Sequence, residues 1–517
     1  DMADFRTLKM CLKSRMGLLY LSSGLLALQG LLFFWKSKTV INKHDLSPGY
    51  VKHYKHIHDW PFIKDIPLPE SGTSQLTTCF ESLNELSSLK VGDTLKLKLF
   101  SKDTYNKSKT YGGDLFSARI RCDTNRYSSY GDVIDHYNGK YTIYFFLPFP
   151  GEYYLDIRLV HSIEAISYLE DLHKSRYNER QLMLGNQELP LGQKPTKQCY
   201  FDYEKFDETF CNLTTCNAGE PWICRKREGD TCEKLWHDFN MELPSNFTTF
   251  KGHLYQIGTI NPCKPNLKII TENATKPDKT KAVAAEKEHG YFMNGHWITF
   301  RDQQLPSLDD KVIVEKLNGK TIHFFGDSNA RVDSDTFIRI FNDMSKNVVK
   351  KNNIKAPKIE HLYQDHGHAF SWRLMNCWNV VTAGEFLRSR PFPTHAVFIS
   401  HLVHIMWMGE DVLRRQLLEI KEAIRQYRLL NPEGIIILRS PHYLEKNEPV
   451  YILRYNNWYA YKIYQLFKEI YYDIDAVSID VFQMVIADGQ IYATHPGGQV
   501  RTNEINLIFR ILCDNLK

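Results

Sequence analysis

The chain has 517 residues, of which 43% are hydrophobic and 24% are charged, and its net charge at pH 7 is +5. This length predicts two or three domains, and the hydrophobic content is sufficient to build their cores. The small net charge and the lack of a long run of like charge give no indication of nucleic-acid binding or of a charged tail.

The segment 17–35, near the N-terminus, carries no charged residue. As a helix it would span about 28 Å, close to the hydrocarbon thickness of a bilayer. Basic residues precede it and Phe33, Phe34 and Trp35 close it, as at a membrane interface. We therefore expect a short cytoplasmic tail over 1–16, a signal anchor over 17–35 and a single-pass type II membrane protein. The alternative is a cleaved signal peptide and a secreted protein, but no small-residue cleavage site follows the segment.

The pattern of the chain changes to β between 81 and 175, after a polar, proline-containing stem over 36–80. Short runs such as 95–99 alternate apolar with polar residues, which is typical of strands with one buried face. Asn138-Gly139 is a strong hairpin signal between two such runs. Several short strands at this spacing predict an all-β domain with an Ig-like sandwich.

The chain has 11 cysteines, and only Cys11 precedes the uncharged segment. The other positions are Cys79, Cys122, Cys199, Cys211, Cys216, Cys224, Cys232, Cys263, Cys377 and Cys513. An even number beyond an anchor is typical of disulfides, and most of these cysteines fall in a cysteine-rich insert and linker over 176–290. Because no C-x2-C pair occurs, a zinc cluster is not favoured and no metal site is expected. We expect up to five disulfides, with Cys11 as the free thiol.

N-glycosylation sequons support the same compartment, because all of them follow the anchor and none lies in the C-terminal part of the chain. They begin at Asn106, Asn212, Asn246 and Asn273. Together with the cysteines, they predict a protein of the secretory pathway, in the Golgi or at the plasma membrane.

Helices and strands alternate from 291 to 517, which predicts an α/β domain with a doubly wound, mostly parallel sheet. Buried strands are indicated at 321–325, 396–400 and 434–438, and each precedes a segment with helical periodicity. The expected fold class is therefore α/β plus all-β, with the cysteine-rich insert joining the two domains.

Gly326-Asp327-Ser328 lies between the first of these strands and a helix whose apolar residues recur at 337, 340, 341 and 344. A serine at such a corner lies at the carboxyl end of a sheet, where open α/β folds bind their ligands. Its backbone N–H can then face a developing oxyanion. The sequence therefore indicates Ser328 as a candidate nucleophile.

His495 is the best candidate for the base that a serine nucleophile needs. It lies in the loop between the last strand and the last helix, which opens at the same edge of a doubly wound sheet as Ser328. We expect Ser328 Oγ and a His495 ring nitrogen to lie within about 4 Å of each other. Asp480, at the end of the preceding strand, and Asp488, in the loop, are the candidates for the acid that orients the base. Asp480 is favoured because strand ends are better fixed than loops.

Several motifs of this chain resemble those of the neurexophilin and PC-esterase domain (NXPE) family. The β region carries Val91-Gly92-Asp93 and Tyr111-Gly112-Gly113-Asp114, as well as the stretches Tyr137–Tyr141 and Leu159–Glu164. The C-terminal region carries Gly326-Asp327-Ser328, His404, Asp480 and His495-Pro496. The joint order of sandwich, cysteine-rich insert and Gly-Asp-Ser domain covers most of the chain beyond the stem.

The resemblance implies an SGNH hydrolase-like C-terminal domain, with Ser328 as nucleophile and His495 as general base. It also implies that the Ser328 N–H is part of the oxyanion hole and that Gly326, Asp327, Ser328 and His404 form the oxyanion site and pocket. Known activities in the group are the addition and removal of O-acetyl groups on glycans, including sialic acids. No metal or bound cofactor is implied, whereas acetyl transfer would need a donor such as acetyl-CoA and a glycan or glycoprotein acceptor.

The chain departs from the family pattern at positions that matter for chemistry. Tyr492 stands where SGNH proteins commonly have an aspartate three residues before the histidine. Leu402-Val403 replaces the Gly-Gln of the turn before His404, and Asn329 stands where the family usually has threonine. Glycine permits close backbone approach and glutamine can donate to an oxyanion, whereas leucine and valine side chains do neither.

Two functions from different classes follow. The first is a membrane-anchored lumenal O-acetyltransferase or acetylesterase with a Ser-His(-Asp) mechanism, and the intact Ser328 and His495 favour it. The second is a catalytically weak or inactive adhesion or ligand glycoprotein that binds a cell-surface receptor through its β-sandwich. The substituted Leu402-Val403 turn and the missing aspartate favour this second function.

Overall fold

A computed structural model of the chain describes residues 72–176, 199–200, 207–212, 223–225, 232, 258–272, 290–299, 308–348, 356–363, 383–388, 395–403, 405–406, 409–444, 455–490, 492 and 494–516. The predicted tail, the anchor over 17–35 and most of the stem lie outside these residues, as do Asn246, Asn273 and His404. Among the helices that are described, none is long and apolar enough to cross a membrane.

The N-terminal part begins with a series of β-strands and ends with a helix. The elements are β1 (Cys79–Ser82), β2 (Thr94–Phe100), β3 (Leu115–Cys122), β4 (Tyr127–Tyr130), β5 (Asp132–Asp135), β6 (Lys140–Phe146), β7 (Gly151–His161) and α1 (Ile163–Arg176). The following part contains only short strands within its described residues. They are β8 (Cys199–Tyr200), β9 (Phe210–Asn212), β10 (Ile223–Arg225), β11 (Gly258–Thr259), β12 (Asn261–Pro262), β13 (Ile269–Thr271), β14 (Gly290–Met293) and β15 (His296–Thr299).

Two largely antiparallel sheets pack against each other in the N-terminal part. One has the strand order β12-β1-β2-β6-β5, and the other has the order β11-β7-β3-β4-β14-β15, with β13 also paired to β7. Leu95, Leu97 and Leu99 of β2 are buried and share one apolar cluster with Ile120 of β3. Successive side chains of a strand point to opposite faces, so this cluster marks the facing sides of the two sheets. The packed β-sheets are confirmed, but an immunoglobulin-like strand order is not.

The hairpin β14–β15 belongs to the second of these sheets by its hydrogen bonding. Tyr291 lies opposite Ser129 of β4, and Phe292 lies opposite Ser128. The predicted start of the C-terminal domain at 291 therefore falls within a strand that completes the N-terminal sheet. The sequence of the short apolar run at 290–293 does not indicate which sheet the run joins, because strand pairing is set by tertiary contacts.

The described cysteines include two disulfides and two free thiols. Cys79 is bonded to Cys263 and Cys211 to Cys232. Cys122 and Cys513 are free and buried, each in a different apolar core. The prediction that every cysteine beyond the anchor is in a disulfide is therefore wrong. A buried thiol packs as a small hydrophobic side chain, and cysteine counting alone does not reveal that use.

The C-terminal part alternates helices and strands. Its elements are α2 (Asp310–Lys316), β16 (Thr321–Gly326), α3 (Ser328–Val348), β17 (Lys358–Tyr363), α4 (Ala383–Arg388), β18 (Ala396–Ser400), α5 (Glu410–Leu430), β19 (Ile435–Arg439), α6 (Asn457–Tyr471), β20 (Val477–Ile479), α7 (Val481–Asp488) and α8 (Gly498–Asn515).

The strands of the C-terminal part form one parallel sheet in the order β17-β16-β18-β19-β20. Phe324 of β16 packs against Phe337 of α3, whereas its neighbour Phe325 packs against Phe386 of α4. Because adjacent strand residues point to opposite faces, helices cover both sides of the sheet. The predicted doubly wound parallel sheet is confirmed. The strand order reverses between β16 and β18, and open α/β sheets bind ligands at such a switch point.

Helix α1 joins the N-terminal sheets to the C-terminal domain. Trp458 Nε1 and Lys462 Nζ, both on α6, donate to Glu170 Oε1 of α1, each at 2.6 Å. The Tyr459 hydroxyl donates to the carbonyl oxygen of Leu169 at 3.1 Å. All these groups are buried, and apolar residues of α1 share one core with the parallel sheet. Helix α1 is therefore part of the C-terminal core, whereas the two N-terminal sheets enclose a core of their own.

Candidate active site

The serine corner, residues 326–329, is shaped by the backbone. Gly326 ends β16 with a φ of +148°, and a Cβ at this position would collide with the carbonyl oxygen of Ser400 on β18. Glycine is required here because it tolerates both the positive φ and the close approach. The Asp327 N–H donates to the same carbonyl oxygen at 2.8 Å. The ends of β16 and β18 are thus in close backbone contact, and α3 begins directly afterwards at Ser328.

Asp327 stabilises this corner through hydrogen bonds to its buried carboxylate. Its carboxylate is fully buried and accepts the Asn329 N–H at 2.8 Å and the Val403 N–H at 3.3 Å. The bond to Val403 ties the turn after β18 to the serine corner. The carboxylate predicted for the pocket therefore holds two turns together.

Ser328 and His495 are in direct contact. His495 Nε2 lies 2.7 Å from Ser328 Oγ, which confirms the predicted distance between the two side chains. When the imidazole is neutral with its proton on Nδ1, Nε2 can accept the serine hydroxyl proton. Ser328 is the first residue of α3, and the first N–H groups of a helix have no partner within it. The positive end of the helix dipole therefore lies where an oxyanion on a bound ester would form.

The two candidate acids have contacts of their own. Asp480 caps α7, with Oδ1 accepting the Gln483 N–H at 3.0 Å, and Oδ2 accepts the Tyr464 hydroxyl at 2.5 Å. Asp488 accepts the Tyr492 hydroxyl at 2.8 Å, and burial raises the pKa of its carboxyl. The assignment of either carboxylate as the acid behind His495 stays a prediction.

Leu402 and Val403 are buried in the turn after β18, next to the serine corner. The Val403 N–H is directed to Asp327, as described above. Its side chain and that of Leu402 place apolar groups where the family pattern has glycine and glutamine. His404, predicted to line the same pocket, lies outside the described residues.

The histidine loop, the segment 489–497 between α7 and α8, is held by side chains. The Tyr492 hydroxyl lies 3.3 Å from the carbonyl oxygen of Gly497, in addition to its contact with Asp488. Burial, followed by the hydrogen bond to Asp488, raises the pKa of Tyr492. The tyrosine at the position of the expected aspartate thus connects the two ends of the loop.

Two buried side chains hold the carbonyl groups on either side of His495. His442 Nε2 lies 2.9 Å from the Thr494 carbonyl oxygen. The Arg501 Nε–H donates to the Pro496 carbonyl oxygen at 3.1 Å. Arg501 Nη2 also donates to Asn329 Oδ1, at 3.3 Å, in the residue after Ser328.

Buried charged side chains contact both His442 and Arg501. Arg501 forms an ion pair with Asp333, and Arg439 lies 2.6 Å from Glu504 and 3.6 Å from Asp333. The Arg439 Nη1 group lies 3.3 Å from His442 Nδ1. Every side chain of this set is almost completely buried. We call Asp333, Arg439, His442, Arg501 and Glu504 the buried network.

The protonation of His442 follows from its surroundings. A guanidinium only donates, so His442 Nδ1 accepts from Arg439 and the ring proton lies on Nε2, where it is donated to Thr494. Burial lowers the pKa of His442 well below its usual range, and the Arg439 charge lowers it further. Burial also lowers the pKa of Arg501, against the opposing effect of Glu504. His442 is therefore neutral at physiological pH.

The buried network is not among the residues predicted from the sequence, although the sequence carries a signal for part of it. Asp333 lies four residues before Phe337, on the apolar stripe of α3. Arg501 and Glu504 lie four residues before Ile505 and Ile508, on the stripe of α8. Charged side chains on an apolar helix face are almost never buried without partners, so several of them indicate a paired cluster.

Two of the predicted glycosylation sites can be located on the described surface. Asn106 lies in an exposed turn, with a φ of +64°, and Asn212 is exposed at the end of β9. Both positions are open to modification.

Comparison with known proteins matches both parts of the chain. Residues 297–513 match the C-terminal domain of NXPE family member 4-like proteins, and residues 58–240 match neurexophilin. The chain is also similar to a solved structure from Slackia heliotrinireducens that has been assigned to the SGNH hydrolases. The two are 14% identical, with 39% of this chain and 100% of the other covered, and their TM-score of 0.26 does not establish a shared fold.

Proposed function

Because the chain belongs to the NXPE family, we propose that it is an esterase or acyltransferase in which Ser328 attacks and His495 is the general base. The observation that carries this proposal is the 2.7 Å contact between Ser328 Oγ and His495 Nε2. The contact lies at the start of α3 and at the switch point of the parallel sheet. The two residues come from opposite ends of the domain, and a shared position at the ligand-binding edge is what nucleophilic catalysis requires.

The reaction begins when His495 Nε2 takes the proton of the Ser328 hydroxyl as Oγ attacks the carbonyl carbon of an ester. The carbonyl oxygen becomes negative and is stabilised by the Ser328 N–H and the start of α3. The tetrahedral intermediate then expels the alcohol or thiol, to which His495 returns the proton. An acyl group is left on Ser328 Oγ.

The second half of the reaction decides between hydrolysis and transfer. His495 takes a proton from water or from an acceptor hydroxyl, and the resulting oxygen attacks the acyl-serine. Collapse of the second intermediate releases acid or a new ester and restores the serine hydroxyl. We propose O-acetyl groups on glycans, including sialic acids, as the substrates. For transfer, we propose acetyl-CoA as the donor and a glycan or glycoprotein as the acceptor. The family relationship supports these assignments.

The proposed setting is the secretory pathway, in the Golgi or at the plasma membrane. The disulfides Cys79–Cys263 and Cys211–Cys232 support an oxidising compartment. The exposed sequon residues Asn106 and Asn212 are compatible with it. The type II anchor over 17–35 is part of this proposal and rests on the sequence pattern alone.

A second candidate function is a binding glycoprotein that keeps the fold with little or no chemistry. The observation that favours it is the turn after β18, where Leu402 and Val403 are buried and the Val403 N–H is directed to Asp327. Loss of one oxyanion donor typically costs about 10²–10³ in rate. In this function the N-terminal β-sheets bind a cell-surface receptor.

Purified full-length protein tests the two functions directly. We would measure hydrolysis of an aryl acetate, and acetyl transfer from acetyl-CoA to free sialic acid, for the wild type and for Ser328→Ala. We expect the variant to lose at least about 10⁴-fold of the wild-type rate. Ser345→Ala, in an exposed part of the same helix, is the matched control and should retain full activity. Wild-type turnover equal to that of Ser328→Ala would reject the enzyme and leave the binding glycoprotein.

A further inference from the structure

We propose that His442 and Arg501 are positioning residues that hold His495 against Ser328 through the backbone on either side of the histidine. This inference rests on the proposed function, because it concerns the same pair of residues. His442 contacts the Thr494 carbonyl and Arg501 contacts the Pro496 carbonyl. The carbonyl groups of the residue before His495 and of the residue after it are thus both held in place, which restricts the backbone conformation that orients the His495 ring.

Arg501 also links the two halves of the site. Its guanidinium donates to the Pro496 carbonyl through Nε and to Asn329 Oδ1 through Nη2, and it also forms an ion pair with Asp333. A guanidinium is planar and rigid, so its donors have a fixed separation. The segment after His495 and the residue after Ser328 are therefore set at a distance determined by one side chain. A lysine has a single flexible ammonium and cannot reproduce this arrangement.

His442 performs the corresponding role on the other side of the histidine. Arg439 Nη1 donates to His442 Nδ1, and Glu504 fixes Arg439 at 2.6 Å. The ring of His442 is consequently oriented with its Nε2–H toward Thr494. A glutamine can keep both contacts, because its amide carries a donor and an acceptor, whereas a leucine keeps neither.

His442 and Arg501 are buried at 0% and 4% exposure, so they do not contact a substrate bound at Ser328. Their effect has to act through the position of His495. A displacement of about 1 Å between reacting groups can cost about 10²-fold in rate. Losing an interaction that acts only on the reacting geometry lowers kcat and kcat/KM equally. We therefore expect a loss in kcat with an unchanged KM when either side chain is changed.

The experiment compares full-length wild type with His442→Leu, His442→Gln and Arg501→Lys in aryl acetate hydrolysis. We expect His442→Leu and Arg501→Lys to lower kcat about 10- to 100-fold with KM within about threefold. His442→Gln should recover most of the lost rate. Arg414→Lys is the control, because Arg414 also binds two carboxylates, Glu410 and Glu469, but lies on α5. It should leave kcat unchanged.

Amide hydrogen exchange over 489–497 gives a second measurement that does not depend on activity. We expect exchange in the histidine loop to be at least tenfold faster in His442→Leu than in the wild type, and near wild type in His442→Gln. Unchanged loop exchange in folded His442→Leu, or a rate loss that glutamine does not rescue, would overturn the positioning role. If the wild type shows no turnover that depends on Ser328, the proposed function fails, and loop exchange still decides the positioning role. If Arg501→Lys does not fold, the two His442 variants decide it.

Discussion

The serine corner and the histidine loop meet in one candidate site, but different forces hold them. At the serine corner, the positive φ of Gly326 and the bond from Asp327 to Ser400 fix the chain through its own backbone. The histidine loop is fixed by side chains from distant segments, namely His442 after β19 and Arg501 on α8. A corner can therefore be encoded by adjacent residues, whereas a long loop needs partners from elsewhere in the fold.

The largest effect is expected from Gly326→Ala, which tests whether close backbone contact fixes the serine corner. The new methyl group would collide with the Ser400 carbonyl oxygen at a φ that side chains rarely adopt. We expect a loss of more than about 4 kcal/mol in the free energy of unfolding, enough to abolish folding of the parallel sheet. Thermal unfolding and yield of folded protein measure it.

Gly319→Ala is the matched control for this change. Gly319 also has a positive φ, +68°, but open space surrounds the position of the missing Cβ. It should cost only about 1–2 kcal/mol. If Gly326→Ala were no more destabilising than Gly319→Ala, the serine corner would not be fixed by close backbone contact.

The next largest effect is expected from Glu504→Gln, which tests the side-chain support of the histidine loop. Glu504 is fully buried against Arg439, and neutralising it leaves a buried guanidinium with reduced compensation. We expect a loss of about 3–5 kcal/mol, measured by denaturant unfolding. Glu419→Gln breaks a half-exposed pair with Arg388 and should cost at most about 1 kcal/mol. Equal losses in the two variants would show that the buried network does not stabilise the domain.

The smallest effect concerns the pH dependence of His442→Gln. The folded-state pKa of His442 lies below the ordinary value of 6.5 because the ring is buried beside Arg439. Its contribution to stability is therefore fully present above pH 6.5 and is lost as the pH falls through the lowered pKa, because only the unfolded chain then binds the proton.

We expect His442→Gln to be about 1 kcal/mol less stable than the wild type at pH 7.5, since one hydrogen bond is weakened. The difference should shrink, and then change sign, as the pH falls from 7 to 5. Urea unfolding of both proteins across this range measures it. A difference that stays constant with pH would mean that His442 is not held neutral in the folded state.

Contiguous features of this molecule can be predicted from the sequence, whereas most contacts between distant segments cannot. The strand, Gly-Asp-Ser and helix are contiguous, so their pattern predicts the serine corner, and the parallel topology predicts that His495 meets Ser328. The sequence offers both Asp480 and Asp488 as the acid, because both follow the last strand, and the preference for Asp480 stays a prediction. Each carboxylate accepts a local hydrogen bond, from Tyr464 and from Tyr492 respectively. The buried network combines residues from three segments, and single-sequence periodicity does not show which charges will pair across a core.

The catalytic pair of Ser328 and His495 is tested most directly by the site and rate of covalent labelling with a fluorophosphonate, which reacts with activated serine hydroxyls. After digestion of labelled full-length protein, mass spectrometry should place the adduct on Ser328. His495→Ala should slow its formation by about 10²–10⁴-fold, which is the usual contribution of a general base. An adduct at another residue, no adduct in folded protein, or equal labelling of wild type and His495→Ala would contradict a catalytic pair formed by Ser328 and His495.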